Sequence, residues 1–388
     1  MVFPIGDAPN PRGVPIVTYL LIAANVAVFV MVTVPLAGVA VSPTDPVAAE
    51  YLRVIFRALG GRVPMQELAR QVSAYDLFVF THGFRPAAPG IQPLFLSMFL
   101  HAGAMHLFGN MLFLWIYGDN VERQLGPFRY LLTYLGTGIA ATLVHWAGAA
   151  GSDVPVVGAS GAISGVLGCY FVFFPRNVVR LLWLLPPFLG RVIEVPARVV
   201  LGIYLVADNL LPYLASGGEG GVAHGAHIGG FIAGLGIAWL AGRAAVSPAA
   251  ARYVSSGSGG DVAALVDAGR WGDAAGAYFA LSPRDAGAAL DDARATALAD
   301  WLRDGGHVDA ALVVLRRLVR DARDPRARAR AHAALGRMLL EDVDQPTPAY
   351  QHFRAALDLG ADGEADDTAR RGLAAIAARQ KRALGRRA

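Results

Sequence analysis

Hydrophobic residues run in long blocks through the first 244 positions and then give way to shorter, helix-spaced clusters. Six blocks predict membrane spans: about Pro15–Leu36, Pro93–Gly118, Phe128–Gly148, Gly158–Phe174, Pro196–Leu214 and Val222–Ala241. Most reach the ~20 residues needed to cross ~30 Å of hydrocarbon. The fourth is short and glycine-rich, and on hydropathy alone it is the weakest. A short span can begin below the membrane surface if the loop before it dips in, and irregular backbone at that depth is allowed where it lines a wet cavity. The first apolar run, Val14–Val41, has no charged residue. It is too long for the core of a signal peptide and lacks a small-residue cleavage site, so it reads as a retained transmembrane helix. In the long loop of roughly residues 37–92, the stretches Tyr51–Leu59 and Met65–Phe80 are amphipathic and could lie in the membrane interface.

Composition sharpens this picture. Hydrophobic residues make up 55% of the 388 positions and charged ones 16%, which favours an all-α polytopic membrane protein over a soluble one. The first 244 positions hold 24 charged residues and the last 144 hold 40. That shift sets a boundary near residue 245, between a six-helix membrane domain (1–244) and a soluble tail. Residues 245–261 read as a flexible Ser/Gly linker, and 262–388 as a helical domain. Net charge is only +4, and Lys381 is the single lysine. The arginine excess reads as coding bias, and no nucleic-acid partner is implied. The single Cys169 rules out an intrachain disulfide. This fits a tail facing a reducing compartment.

Arginine also sets an expected orientation. Arg123 and Arg129 follow the second span. Arg176, Arg180, Arg191 and Arg198 follow the fourth, and Arg243 follows the sixth. The loops after the third and fifth spans carry no Lys or Arg. Both termini are therefore expected in the cytoplasm. The long first loop, with Arg53, Arg57, Arg62, Arg70 and Arg85, is the exception, near the length at which the rule loses force.

Against this apolar background a few polar side chains stand out, because polar groups in lipid are costly and mark function by default. Ser160 lies between Gly158 and Gly161 at the expected start of the fourth span. It reads as a nucleophile whose helix N-terminus could stabilise an oxyanion, or as a small-residue packing contact. Gly161 with Gly165, and Gly230 with Gly234, form small-xxx-small pairs that could bring the fourth and sixth spans together. His227 and His224 offer a general base, a polar cavity lining or a metal pair, the last weakened by the lack of a nearby carboxylate or thiol cluster. Both Ser160 and His227 fall near the outer ends of their spans. His106 and Asn110 share one helix face at i and i+4, and both can donate to an oxyanion. A polar association stripe, or haem ligation by paired histidines opposed on separate helices, remains an alternative. Glu122 is expected to cap or to pair with a loop arginine. Asp208 and Asn209 fall in the fifth span; an acidic residue there could orient a histidine, or could simply meet water near the outer surface.

Four segments in order, His101-x4-His106-x3-Asn110, Tyr117-Gly118-x3-Glu122-x3-Gly126, Gly158-Ala159-Ser160-Gly161 and Ala226-His227-x2-Gly230-x3-Gly234, resemble the rhomboid family of intramembrane serine proteases. The resemblance covers roughly residues 10–245. It implies a six-helix bundle with a Ser160–His227 dyad and no cofactor or metal. His106, Asn110 and the Ser160 N–H would form the oxyanion hole, with His101 as a further polar residue near the site. It also implies membrane-protein substrates cut within or beside a transmembrane helix, with the fifth span and the loop after it as lateral gate and cap. Many members carry a Trp-Arg pair in the first loop, and this loop has no Trp.

In the tail, Ala274-x3-Tyr278-x2-Leu281, Ala311-x3-Leu315-x2-Leu318 and Ala349-x3-Phe353-x2-Ala356 recur every 37 to 38 residues. This is similar to tetratricopeptide repeats with small insertions, and implies a docking surface for a cytoplasmic partner, or a small helical domain without a binding role. The Arg379–Arg387 run would brush anionic lipid or be solvated. Two rivals compete with the enzyme: a silent relative that binds transmembrane helices, and a transporter, for which the expected inverted repeats are absent.

Overall fold

A computed structural model describes residues 2–10, 13–42, 45–184, 190–216, 223–243, 261–281, 285–286 and 289–385. The expected linker 245–261 lies outside these residues except for Asp261. The chain divides into two compact units, one of Met1–Asp7, Gly13–Pro175 and Val179–Leu240, the other of Ala8–Arg12, Arg176–Val178 and Ala241–Ala388.

In the first unit, α1 runs over Ile16–Ala37 with a π turn at Phe29–Thr33. Its first turn is capped from a distance. The Glu122 carboxylate accepts from Val17 N at 3.0 Å, Thr18 N at 2.8 Å and Thr18 Oγ1 at 2.7 Å. A buried anion belongs there, because the first N–H groups of a helix have no partner within it and carry the positive end of its dipole.

The first loop folds into three helices, α2 (Pro46–Ala58), α3 (Met65–Gln71) and α4 (Ala74–His82), around Leu52, Leu68 and Val72. The expected amphipathic stretch Met65–Phe80 is therefore two helices. It divides at Ser73, which caps α4 reciprocally with Asp76.

The second span departs from a single straight helix. The α5 helix (Ile91–Leu96) and a 3-10 turn at Ser97–Phe99 meet α6 (Ala104–Leu125) at 86°. His101 sits in the break, while His106 and Asn110 lie on α6. The long α7 (Pro127–Ala149) starts with proline in its first turn, where a missing N–H costs nothing.

The α8 helix (Ser160–Phe173) has 14 residues, about 21 Å at 1.5 Å per residue and short of the bilayer's ~30 Å. Every residue from Ala162 to Tyr170 is buried, so α8 is the central post of the unit. After it come strands β2 (Val178–Trp183) and β3 (Arg191–Pro196), which with β1 (Val2–Ala8) form a sheet of order β1-β2-β3. The helical expectation did not include this sheet, because its strands are six or seven residues long and pair across the chain. The last two helices are α9 (Ala197–Ala215), with a π turn at Val206–Leu210, and α10 (His224–Arg243).

Helices Ile16–Ala37, Ala197–Ala215 and His224–Ala241 are long and apolar enough to cross a membrane, and the bent pair Ile91–Phe99 and Ala104–Leu125 adds a fourth crossing if it counts as one. Large apolar side chains such as Leu20, Met31, Leu132, Ile203, Ile232 and Leu240 point outward, while Tyr117, Tyr130, Tyr134 and Tyr170 fill the interior. An apolar exterior over a partly polar core is what lipid as solvent demands.

The second unit is built from α11 (Val262–Asp267), α12 (Trp271–Ala280), α13 (Asp292–Asp304), α14 (Val308–Asp321), α15 (Pro325–Glu341), α16 (Pro346–Asp358) and α17 (Gly363–Gly385). One apolar cluster runs through it, from Val262 to Ile376. The three recurring motifs occupy equivalent places: Ala274, Ala311 and Ala349 are each the fourth residue of α12, α14 and α16, and all are fully buried. Two positions before each of these helices stands a residue with positive φ: Gly269 at 68°, Gly306 at 78° and Asp344 at 53°. A shared left-handed turn thus starts each motif helix.

Candidate functional site: a serine and a histidine joined across three helices

Ser160 is the first residue of α8, placed there by a glycine. Gly158 has φ of 126°, open to glycine and strained for other residues. Its N–H donates to the Ser97 carbonyl at 2.8 Å. A Cβ on Gly158 would lie 2.8 Å from His106 Cε1 and 3.6 Å from Ser160 Oγ. The glycine therefore lets the loop pass between the His106 ring and the serine hydroxyl.

The glycines also set helix spacing, though not quite as the pairs suggest. Gly161 and Gly165 make room for α7: a Cβ at Gly161 would lie 2.7 Å from Ala141 Cβ, and one at Gly165 2.2 Å from Thr137. Gly230 and Gly234 on α10 rest on α8 itself, where a Cβ would lie 2.1 Å from the Gly161 carbonyl and 2.0 Å from that of Gly165. Cys169, buried, adds an Sγ contact to the Gly234 carbonyl at 3.3 Å. Backbone contact between α8 and α10 brings two residues 67 apart in sequence together: Ser160 Oγ and His227 Nε2 are 2.7 Å apart.

The other ring nitrogen, His227 Nδ1, lies 2.6 Å from Asn209 Oδ1, with His224 Nδ1 3.5 Å from the same oxygen. Asn209 is buried on the π turn of α9 and donates from Nδ2 to the Tyr204 carbonyl at 2.7 Å. The Tyr204 hydroxyl lies 2.7 Å from Ser164 Oγ, and Ser164 donates to the Ser160 carbonyl at 2.8 Å. A hydroxyl hydrogen-bonded to an imidazole that is itself held on its far side can serve as a base-assisted nucleophile.

The remaining expected residues gather nearby or serve elsewhere. The His106 ring is 5.1 Å from that of His101, and His106 Nδ1 accepts from Ala102 N at 3.4 Å. Asn110 is buried, one turn along α6, and its Nδ2 makes no hydrogen bond among the described residues. His101 is buried, its N–H donating to Tyr75 Oη at 3.1 Å while that hydroxyl donates to the His101 carbonyl at 2.8 Å. Glu122 is occupied at the start of α1. Asp208 is exposed. Ser164 and Tyr204 belong to no motif in the sequence; their one local signal is Ser164 at i+4 from Ser160, on the same helix face. No group of three or more His, Cys, Asp or Glu able to hold a metal occurs among the described residues.

Residues 90–244 match the rhomboid domain. The chain is 32% identical over 180 residues to Rhomboid-like protein 11 of Arabidopsis thaliana chloroplasts, covering 44% of this chain and 58% of that protein. It is 31% identical over 160 residues to the rhomboid protease AarA of Providencia stuartii, covering 37% and 54%. To the rhomboid protease GluP of Bacillus subtilis it is 44% identical over 75 residues, covering 19% and 14%. The matched segments thus span between about one seventh and three fifths of these relatives. Residues 90–244 thus match a rhomboid domain, in a chain whose helices include three, or four with the bent pair, long and apolar enough to cross a membrane.

Proposed function

We propose that the protein is an intramembrane serine endopeptidase that cleaves transmembrane-helix substrates within or near the bilayer. The observation that carries this reading is the 2.7 Å contact between Ser160 Oγ and His227 Nε2, built on backbone-close packing of α8 and α10. In the proposed reaction Ser160 Oγ attacks the substrate carbonyl carbon, and its proton passes to His227 Nε2. The carbonyl oxygen becomes an oxyanion. Its donors are the Ser160 N–H at the start of α8, the Asn110 amide and the His106 ring. The tetrahedral intermediate collapses, the C–N bond breaks, and His227 returns the proton to the leaving amine. Water then gives a proton to His227 Nε2 and its hydroxide to the acyl carbon. The carboxylic acid departs and the proton returns to Ser160.

A backbone N–H on an intact helix is already bonded and its carbonyl shielded, so substrates are expected to carry helix-weakening residues beside the cut. Orientation follows the arginines: both termini and the helical tail in the cytoplasm of a bacterial inner membrane, and the site opening toward the outer surface. The tail, residues 262–388, is proposed as a docking surface for a cytoplasmic partner, with 1–244 as the protease domain.

The test is cleavage of a single-span model substrate by the purified full chain in detergent, wild type beside Ser160→Ala. Cleavage is expected from wild type alone. If neither protein cuts while both bind the substrate equally, the chain is a helix-binding relative without catalysis.

A further inference from the structure

We propose that Asn209 is a positioning residue that holds His227 of the Ser160–His227 pair in its reactive tautomer. The inference rests on the protease reading above.

A carbonyl oxygen can only accept. The Asn209 amide lies 2.7 Å from the Tyr204 carbonyl through Nδ2, and that partner decides which end of the amide is nitrogen. Oδ1 must then be the end facing His227 Nδ1 at 2.6 Å. Oδ1 is an acceptor only, so the hydrogen between them belongs to His227 Nδ1. A neutral imidazole carries one N–H. With that hydrogen on Nδ1, Nε2 bears the lone pair, and it is Nε2 that lies 2.7 Å from Ser160 Oγ. The serine hydroxyl is thereby the donor, the direction that base-assisted attack requires. When Nε2 takes the serine proton, Nδ1–H keeps its bond to Oδ1 and Asn209 neither gains nor loses a proton.

The π turn explains how Asn209 reaches this place. Val206–Leu210 is wound with one extra residue per turn, which leaves backbone carbonyls out of the ordinary ladder. The Asn209 side chain bonds the carbonyl five residues back, so the irregular turn and the asparagine satisfy each other. The same residue ties the site into a ring. Since the Ser164 hydroxyl gives its only hydrogen to the Ser160 carbonyl, the hydroxyl of Tyr204 donates to Ser164. Ser160, Ser164, Tyr204, Asn209, His227 and Ser160 again form a closed circuit through α8, α9 and α10. The neighbouring Asp208 is exposed and is not part of it.

The test compares full-length wild type, Asn209→Ala and Asn209→Asp on one single-span model substrate in detergent. Rates are measured across pH, and Ser160 is labelled with a fluorophosphonate. The titratable groups facing His227 are His224 on its own helix, His106 on α6 and His145 on α7, with the Tyr204 ring on α9. All stay in place in both variants, so a shift between variants reports position 209. Asn209→Ala is expected to lower kcat about 10- to 100-fold with KM nearly unchanged. Asn209→Asp keeps an acceptor but adds a negative charge that favours the imidazolium. It is expected to retain most of the plateau rate, with the acid limb moved up by about one pH unit. A wild-type kcat in Asn209→Ala overturns the proposal, and so does an acid limb in Asn209→Asp that coincides with wild type. A wild type that neither cleaves nor labels at Ser160 instead overturns the protease reading, a different outcome visible before either variant is made.

Discussion

Gly158 stands at φ of 126° with the His106 ring where its Cβ would be. Gly158→Ala combines a strained backbone, about 1–3 kcal/mol, with displacement of His106 from beside the serine. Cleavage of a model substrate is expected to fall more than about 10-fold while the helical content by circular dichroism stays intact. If Ser160 serves packing alone, activity will not track this ring. The motif around Ser160 was legible as a string, since three small residues flank one hydroxyl. What the string did not carry was the left-handed turn at Gly158 or the identity of its neighbour, because φ and contact both depend on where α6 passes. His227 shows the same division: its candidacy came from a histidine in an apolar block, its tautomer only from Asn209.

Among the elements, α8 and α10 touch backbone to backbone. Gly234→Ala is expected to destabilise the protein by about 1–3 kcal/mol, because the new methyl would meet the Gly165 carbonyl at 2.0 Å. Gly236→Ala, two residues on, meets nothing within 4 Å and is expected to be neutral. Thermal unfolding in detergent distinguishes the two, and activity should fall only in the first. In the second unit, Phe353 lies between Gly336 and Gly372, where added Cβ atoms would sit 2.7 and 2.2 Å from its ring. Phe353→Ala is expected to cost about 3–5 kcal/mol, read as faster hydrogen exchange across 325–341 and 363–385.

The same helices carry a pH response. His332 Nδ1 and His352 Nδ1 are 2.8 Å apart, an arrangement that admits one shared hydrogen. Burial pushes His332 down to about 4 and His352 down to about 3. Both folded values lie below the unfolded value of about 6.5, so the unfolded chain binds more protons over that range. The stability these neutral histidines permit is complete above about pH 6.5 and is lost as pH falls through the folded values. Hydrogen-exchange protection of 325–341 and 346–358 in the full chain should decline from about pH 7 to pH 5. His352→Leu should flatten that decline.

Over the whole molecule, orientation is open to direct test. Cys169 is the single cysteine and is buried, so an introduced cysteine reports alone. Ser152→Cys, between α7 and α8, is expected to react with a membrane-impermeant maleimide added outside intact cells. Gln124→Cys, at the end of α6, is expected to react only after the membrane is opened. Equal labelling of both in intact cells would overturn the orientation drawn from arginine.

The apolar blocks, the break in composition near residue 245, the small-residue pairs and the recurrence in the tail are legible in the sequence alone. Each is written in the spacing of neighbouring residues, which apolar blocks and helical periodicity preserve along the chain. Tertiary structure decided the rest: the 86° break before α6, the sheet of β1, β2 and β3, the burial of Glu122 against α1 and the reach of Asn209 to His227. These features join segments far apart in sequence. Their energies come from unpaired donors, carbonyls and charges that find partners only when the helices pack.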